Sequence, residues 1–206
     1  MKFNFWKNKE KIQYPEEITN YFELNKSAKD VEVEYVIFDT ESSSLSIERA
    51  QLLSIGAVKV QANSISAKDT FNCFIDTGKS GVKGNVHIHE IMTTGKEERK
   101  ELRAVLPDFL KFIGNATLVA HHAKHDISLI NRSLSEIFPG VRLVNKVIDT
   151  AGLAIEKDLQ NDASLKIDSK NYSLDALLKR YNIEAVERHT ALGDAYSTAL
   201  LFLKIQ

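Results

Sequence analysis

The spacing of apolar residues changes several times along the chain, and each change predicts an element. Tyr35-Val36-Ile37-Phe38 is a short unbroken apolar run ending in a polar turn, the pattern of a strand buried on both faces. Leu52 to Val60 and Ile65 to Ile75 predict two further strands, and the polar connection Gln61-Ala62-Asn63-Ser64 suits a hairpin between them. The spacing then becomes helical. Leu102, Val105, Leu106, Phe109 and Ile113 share a face, with Pro107 either kinking that helix or beginning its regular part. Leu118-Val119-Ala120 is a fourth strand, and Ile127, Ile130 and Leu134 mark the helix after it. Val147-Ile148-Asp149 predicts a last short strand, while the polar residues 156–170 predict a mobile surface loop. Leu174, Leu177, Leu178 and Tyr181 form a helical stripe behind the cap Ser173, and Leu192, Ala195, Tyr196, Ala199 and Leu203 form the final one. A hairpin-linked group of strands followed by strands alternating with helices predicts an α/β fold, a mixed sheet flanked by helices.

Residues 1–30 stand apart from this pattern. Their apolar residues are scattered among lysines and glutamates, and Pro15 followed by Glu16 and Glu17 predicts a helix start. The division expected is a helical extension over 1–30 and a main domain over 31–206, with the extension packed on the outside.

Composition narrows the field only a little. The 206 residues are 43% hydrophobic and 27% charged, as in an ordinary globular protein. A net charge of −1 excludes a global basic field of the kind that drives non-specific duplex binding. It still permits a local cleft in which cations supply the positive charge. Cys73 is the single cysteine, so no disulfide forms within the chain. No apolar run has transmembrane length and Met1–Glu10 lacks a signal-peptide core, so a cytoplasmic location away from membranes is the expectation.

Acidic residues sit at the ends of the predicted elements, where a solvated charge run would not place them. Asp39 and Glu41 follow the first strand two residues apart, so their side chains point to one side of an extended chain. Asp126 lies after the strand Leu118–Ala120 and near the start of a helix, where the dipole favours a carboxylate. In His189-Thr190-Ala191-Leu192-Gly193-Asp194, a cap at Thr190 leaves His189 in the loop and Asp194 inside the first turns. The two side chains then approach one place from different directions. Each feature alone has an ordinary structural explanation: a polar turn, a helix N-terminal acid, a loop histidine.

Together they resemble the motifs of the DEDD exonucleases. Phe38-Asp39-Thr40-Glu41 with Leu53-Ser54-Ile55-Gly56-Ala57-Val58 looks like the first motif, Leu118 to Asp126 the second, and His189 to Asp194 the H-x-A-x-x-D third motif of the histidine-bearing DEDDh subgroup. That subgroup includes the DNA polymerase III epsilon proofreading subunit and ribonuclease T. The resemblance implies a ribonuclease-H-like fold, with the first three strands antiparallel and the sheet continuing in parallel. It also implies 3′→5′ hydrolysis of phosphodiester bonds in single-stranded DNA or RNA. The implied metal ligands are Asp39, Glu41, Asp126 and Asp194, around two Mg²⁺ or Mn²⁺ ions. Asp39 would bridge them, and His189 would be the general base. The chemistry suits these residues: hard cations prefer oxygen donors, and a pair roughly 3.5–4 Å apart clamps the attacking and leaving oxygens.

The second motif departs from the family, which commonly has asparagine at position 122 and phenylalanine at 125; this chain has His122 and His125. Both bear on how the terminal nucleotide is held, and His125 offers a ring for stacking. His121, His122 and His125 also suggest zinc, although no cysteine is near. His89-Glu90-Ile91-Met92-Thr93 stands where family members often carry H-G-I-T, making His89 a candidate substrate contact. Thr40 and Ser42 are candidates beside the acids. The competing function is a strand-end binding module without hydrolysis. A proofreading role would require a polymerase or another partner chain, and the oligomeric state stays open.

Overall fold

The computed structural model describes residues 13–27, 34–78 and 98–206. A helix α1 (Glu16–Ser27) precedes strands β1 (Tyr35–Ser42), β2 (Leu52–Gln61), β3 (Ser64–Ile75) and β4 (Arg99–Lys100). Then come α2 (Leu102–Ile113), β5 (Thr117–Ala120), α3 (Lys124–Ile137), β6 (Val147–Asp149) and α4 (Thr150–Asn161). A 3₁₀ turn (Ser169–Tyr172), α5 (Leu174–Arg180) and α6 (Ala191–Ile205) complete the described part. The six strands form one sheet in the order β4-β3-β2-β1-β5-β6. β1, β2 and β3 are antiparallel neighbours, and β5 and β6 extend the sheet from β1 in parallel. This is the mixed α/β sheet that the sequence predicted.

The pleat of β1 organises everything else. Val36 and Phe38 face a core shared with α1, α2 and α3, whereas Ile37 faces a second cluster with Val58, Val119 and the α6 residues Ala199 and Phe202. Covered on both faces, the strand can be apolar without alternation. The β2–β3 connection is a tight turn with Ala62 and Asn63 at φ 45° and 59°, the left-handed pair that matches strand twist. Ser173 and Thr190 act as helix caps, accepting from the amides of Ala176 and Gly193.

Two expectations change, and one open alternative is decided. β1 runs on to Ser42, so Asp39 and Glu41 lie within the strand, because backbone pairing with Gly56 and Ser54 continues past the apolar run. Residues 156–161 are helical: Asp149 caps α4 by accepting from the Ala151 amide, and Ala151 and Ala154 are buried on the small face that this polar helix presents to the core. The irregular stretch is thus shorter than the predicted loop. Pro107 is an interior, buried residue of α2, which begins at Leu102 rather than at the proline. The helix after Pro15 forms where expected, sinking Ile18 and Tyr21 into the main core. The Tyr21 hydroxyl donates to Asn145 (2.5 Å) and accepts from the Val144 amide (2.8 Å). The expected domain division at residue 30 falls among residues 28–33, outside the described part, as does His89. Among the described residues no helix is long and apolar enough to cross a membrane.

Candidate active site

Alternation along β1 sends consecutive side chains to opposite faces, and the polar end of the strand uses this as the apolar end does. Asp39 and Glu41 share the parity of Ile37 and so lie on the α6 side. Thr40 shares the parity of Phe38 and points toward the N-terminus of α3. α6 reaches the site because Gly56, paired with Asp39 across the β1–β2 ladder, has no side chain. A Cβ there would stand 2.1 Å from the Leu192 amide nitrogen and 2.2 Å from the Ala191 carbonyl carbon. Backbone therefore packs on backbone, and Asp194 in the first turn of α6 comes down beside Asp39. Ligand oxygens of Asp39, Glu41 and Asp194 all lie within 4.8 Å of one another.

Asp126 enters from the other side, in the first turn of α3. Its Oδ1 accepts from the Thr40 amide (3.0 Å) and the Thr40 hydroxyl (2.6 Å). The four carboxylates surround one cleft of about 930 Å³, which is also lined by Thr40, Ser42, His122, His125 and His189. Nine of the ten sequence candidates therefore share one wall system; only His89 lies outside the described residues.

The electrostatics are those of crowded, partly dehydrated acids. Burial, then the charges of Asp126, Asp194 and Glu41, hold Asp39 well above the usual carboxylate range. Burial, with Asp194 and Asp126, pushes Glu41 up to about 7. Burial raises Asp126 to about 6 against the hydrogen bonds from Thr40. Asp194 is also raised by burial, although Arg188 pulls the other way. A site of this kind has oxygen donors and excess negative charge, and hard divalent cations answer both. The donor set fits such ions, with Asp39, Glu41 and Asp194 converging and Asp126 adjacent.

The histidines divide. His189, at φ 65° just outside α6, sits next to Asp194, whose carboxylate accepts from the His189 amide. His122, at φ 55°, is exposed, and its amide donates to Asp149 Oδ1 (3.1 Å). Histidine, like asparagine, is among the residues enriched in left-handed backbone, so this conformation accommodates His122. His121 is turned inward: Nδ1 meets Thr150 Oγ1 at 2.9 Å, Nε2 is buried without a hydrogen-bond partner, and burial lowers its pKa to about 4. Among the described residues the histidines form no metal-donor grouping, so the zinc alternative gains no geometric support.

Sequence reasoning missed Arg188. Its Nη1 donates to Asp194 Oδ1, and its Nε donates to Asp175 Oδ1 at 2.7 Å. Burial works against its charge, but the two carboxylates more than compensate and leave it more firmly protonated than a free arginine. The only sequence signal was its place beside His189, and nothing there distinguished it from a surface cation.

The carboxylates at the ends of β1, α3 and α6, gathered over a mixed sheet, form a candidate site for divalent cations. Comparison with known proteins gives the family. The sequence profile of the exonuclease family (RNase_T) matches residues 36–202, and the chain belongs to that family. It is 33% identical over 182 residues to the PolC-type DNA polymerase III of Caldanaerobacter subterraneus subsp. tengcongensis, covering 87% of this chain and 12% of that protein. The PolC-type enzyme of Bacillus subtilis is 29% identical over 171 residues, covering 83% of this chain and 11% of the relative. The chain thus spans only about an eighth of the curated relatives it matches. Its fold is similar to that of E. coli exonuclease I, solved in complex with a dT13 oligonucleotide. The TM-score is 0.66 at 13% identity, over 83% of this chain and 40% of that one.

Proposed function

We propose that this chain is a 3′→5′ exonuclease of the DEDDh subgroup that hydrolyses the terminal phosphodiester bond of a single strand, using two divalent cations, Mg²⁺ or Mn²⁺. The observation that carries this reading is the convergence of Asp39, Glu41 and Asp194 within 4.8 Å, beside Asp126. Bound cations would lower the pKa of the attacking water and neutralise charge on the leaving oxygen. Asp39, Glu41, Asp126 and Asp194 would hold them, with the charges of the other three acids all acting on Asp39. Thr40 fixes the Asp126 carboxylate, which lines the cleft, through two hydrogen bonds to its Oδ1. His189 takes the proton of the attacking water on its ring as general base, because it lies beside Asp194 and outside the helix. Ser42, His122 and His125 line the path of the strand, and His125 offers a stacking surface.

Single-stranded DNA is the first substrate to test. The curated relatives are DNA polymerases, and the solved relative holds a dT13 oligonucleotide. RNA is the second. A polymerase is the partner class those relatives suggest. The test incubates the full chain with Mn²⁺ and 5′-labelled DNA and RNA oligomers. Stepwise shortening from the 3′ end is expected, abolished by Asp39→Ala and reduced about a hundredfold by His189→Ala, the range for loss of a general base. Binding of either oligomer without shortening would overturn hydrolysis in favour of a strand-end binding module.

A further inference from the structure

Arg188 has no place in the three motifs, yet it touches the nest directly. Its guanidinium spans two carboxylates of different character: Asp194, whose side chain is 12% exposed, and Asp175 on α5, whose side chain is 68% exposed. The backbone fixes this position. Glu187 and His189 on either side are at φ 34° and 65°. The Thr190 hydroxyl donates to the Glu187 carbonyl (2.8 Å), and the turn lies so close to α6 that a Cβ on Gly193 would stand 2.2 Å from the Glu187 oxygen. An arginine fork held in this way is preorganised, so it loses little freedom in bridging two acids.

Resting on the two-cation reading above, we propose that Arg188 is a built-in competitor of the divalent cation for Asp194, with Asp175 as the carboxylate that retains it when the cation binds. The Nη1 arm sits on a carboxylate that the cations need. The Nε arm sits on one that they do not, the exposed Asp175, which is not among the residues lining the cleft. Cation binding at Asp194 breaks the first contact and leaves the second. The competition lowers cation affinity and offsets like-charge repulsion within the nest.

The test measures Mn²⁺ binding to the full chain without substrate, by calorimetric titration at fixed pH and ionic strength. Arg188→Ala is expected to bind Mn²⁺ about tenfold more tightly, because a cation beside a dication is removed. Asp175→Asn is expected to bind more weakly, because Arg188 then has only Asp194. In the Arg188→Ala background, Asp175→Asn is expected to have little further effect, since it acts through the arginine. Arg188→Lys, which keeps the charge but not the fork, falls between the parent and Arg188→Ala. A merely structural Arg188 would weaken binding when removed. Unchanged or weaker binding by Arg188→Ala, or a full Asp175→Asn effect without the arginine, overturns the proposal. If neither the parent chain nor Arg188→Ala binds Mn²⁺, the two-cation reading falls as well, which separates the two failures.

Discussion

Asp126 and Asp194 are a matched pair with unlike surroundings. Each is a buried acid in the first turn of a helix, where the dipole favours its charge, and each reaches β1 from one face of the sheet. Asp126 is held by neutral donors, the amide and hydroxyl of Thr40, on the strand it serves. Asp194 is held by the guanidinium of Arg188, from outside the strand. The first arrangement fixes a carboxylate in place; the second balances its charge with a partner that a cation can replace. One site thus contains an anchored acid and an exchangeable one.

The sharpest way to break the comparison is to neutralise each acid in turn. Asp126→Asn and Asp194→Asn should each lower the hydrolysis rate on the order of a thousandfold, since each removes a charge proposed to hold a cation. Their stabilities should diverge in the absence of divalent cations. Asp126→Asn keeps the acceptor for Thr40 and relieves a dehydrated charge, so its Tm should rise at pH 8. Asp194→Asn leaves Arg188 without its buried partner, so its Tm should not rise. A lower Tm for Asp126→Asn would show that its charge, not its shape, holds the α3 side.

The next effect acts on the α6 side alone. Gly56→Ala places a methyl group where the Leu192 backbone stands, at 2.1 Å, and the helix must move. A loss of about 3 kcal/mol is expected, some ~10 °C in Tm by thermal unfolding. Displacing Asp194 should also weaken Mn²⁺ binding. An unchanged Tm would mean that the contact is not tight.

The smallest effect is the pH dependence of stability without divalent cations. Glu41 has its folded pKa raised from 4.5 to about 7, and Asp39 is shifted in the same direction, well above the usual carboxylate range. A carboxyl raised on folding stabilises below its unfolded pKa and loses that contribution as pH rises through the folded value. His121, lowered from 6.5 to about 4, has the opposite sign, its contribution being lost as pH falls from 6.5 toward 4. Between pH 6.5 and about 7, the folded value of Glu41, the acids therefore act without that opposition. Tm should fall across this window in EDTA, and the slope should shrink in Glu41→Gln or when Mn²⁺ is added. A flat profile would show that the nest is well solvated.

Much of this was legible in the chain itself. The apolar run Tyr35–Phe38, the caps Ser173 and Thr190 and the two-residue offset of Asp39 and Glu41 depend on local periodicity and side-chain reach, which the sequence carries directly. The class of the fold and the change from antiparallel to parallel pairing followed from that pattern together with the family motifs. The misplaced boundaries failed for local reasons. Strand pairing extends β1 into polar residues, and a burial face made of Ala151 and Ala154 left α4 without a hydrophobic stripe. What only the tertiary structure decided is which face each acid occupies and what it meets there. The close approach of α6 to Gly56, the seat of Asp126 on Thr40 and the bridge from Arg188 to Asp175 join residues far apart in sequence or across a turn. Such contacts depend on how the helices settle on the sheet, and backbone proximity of this kind leaves no periodic signal along a chain.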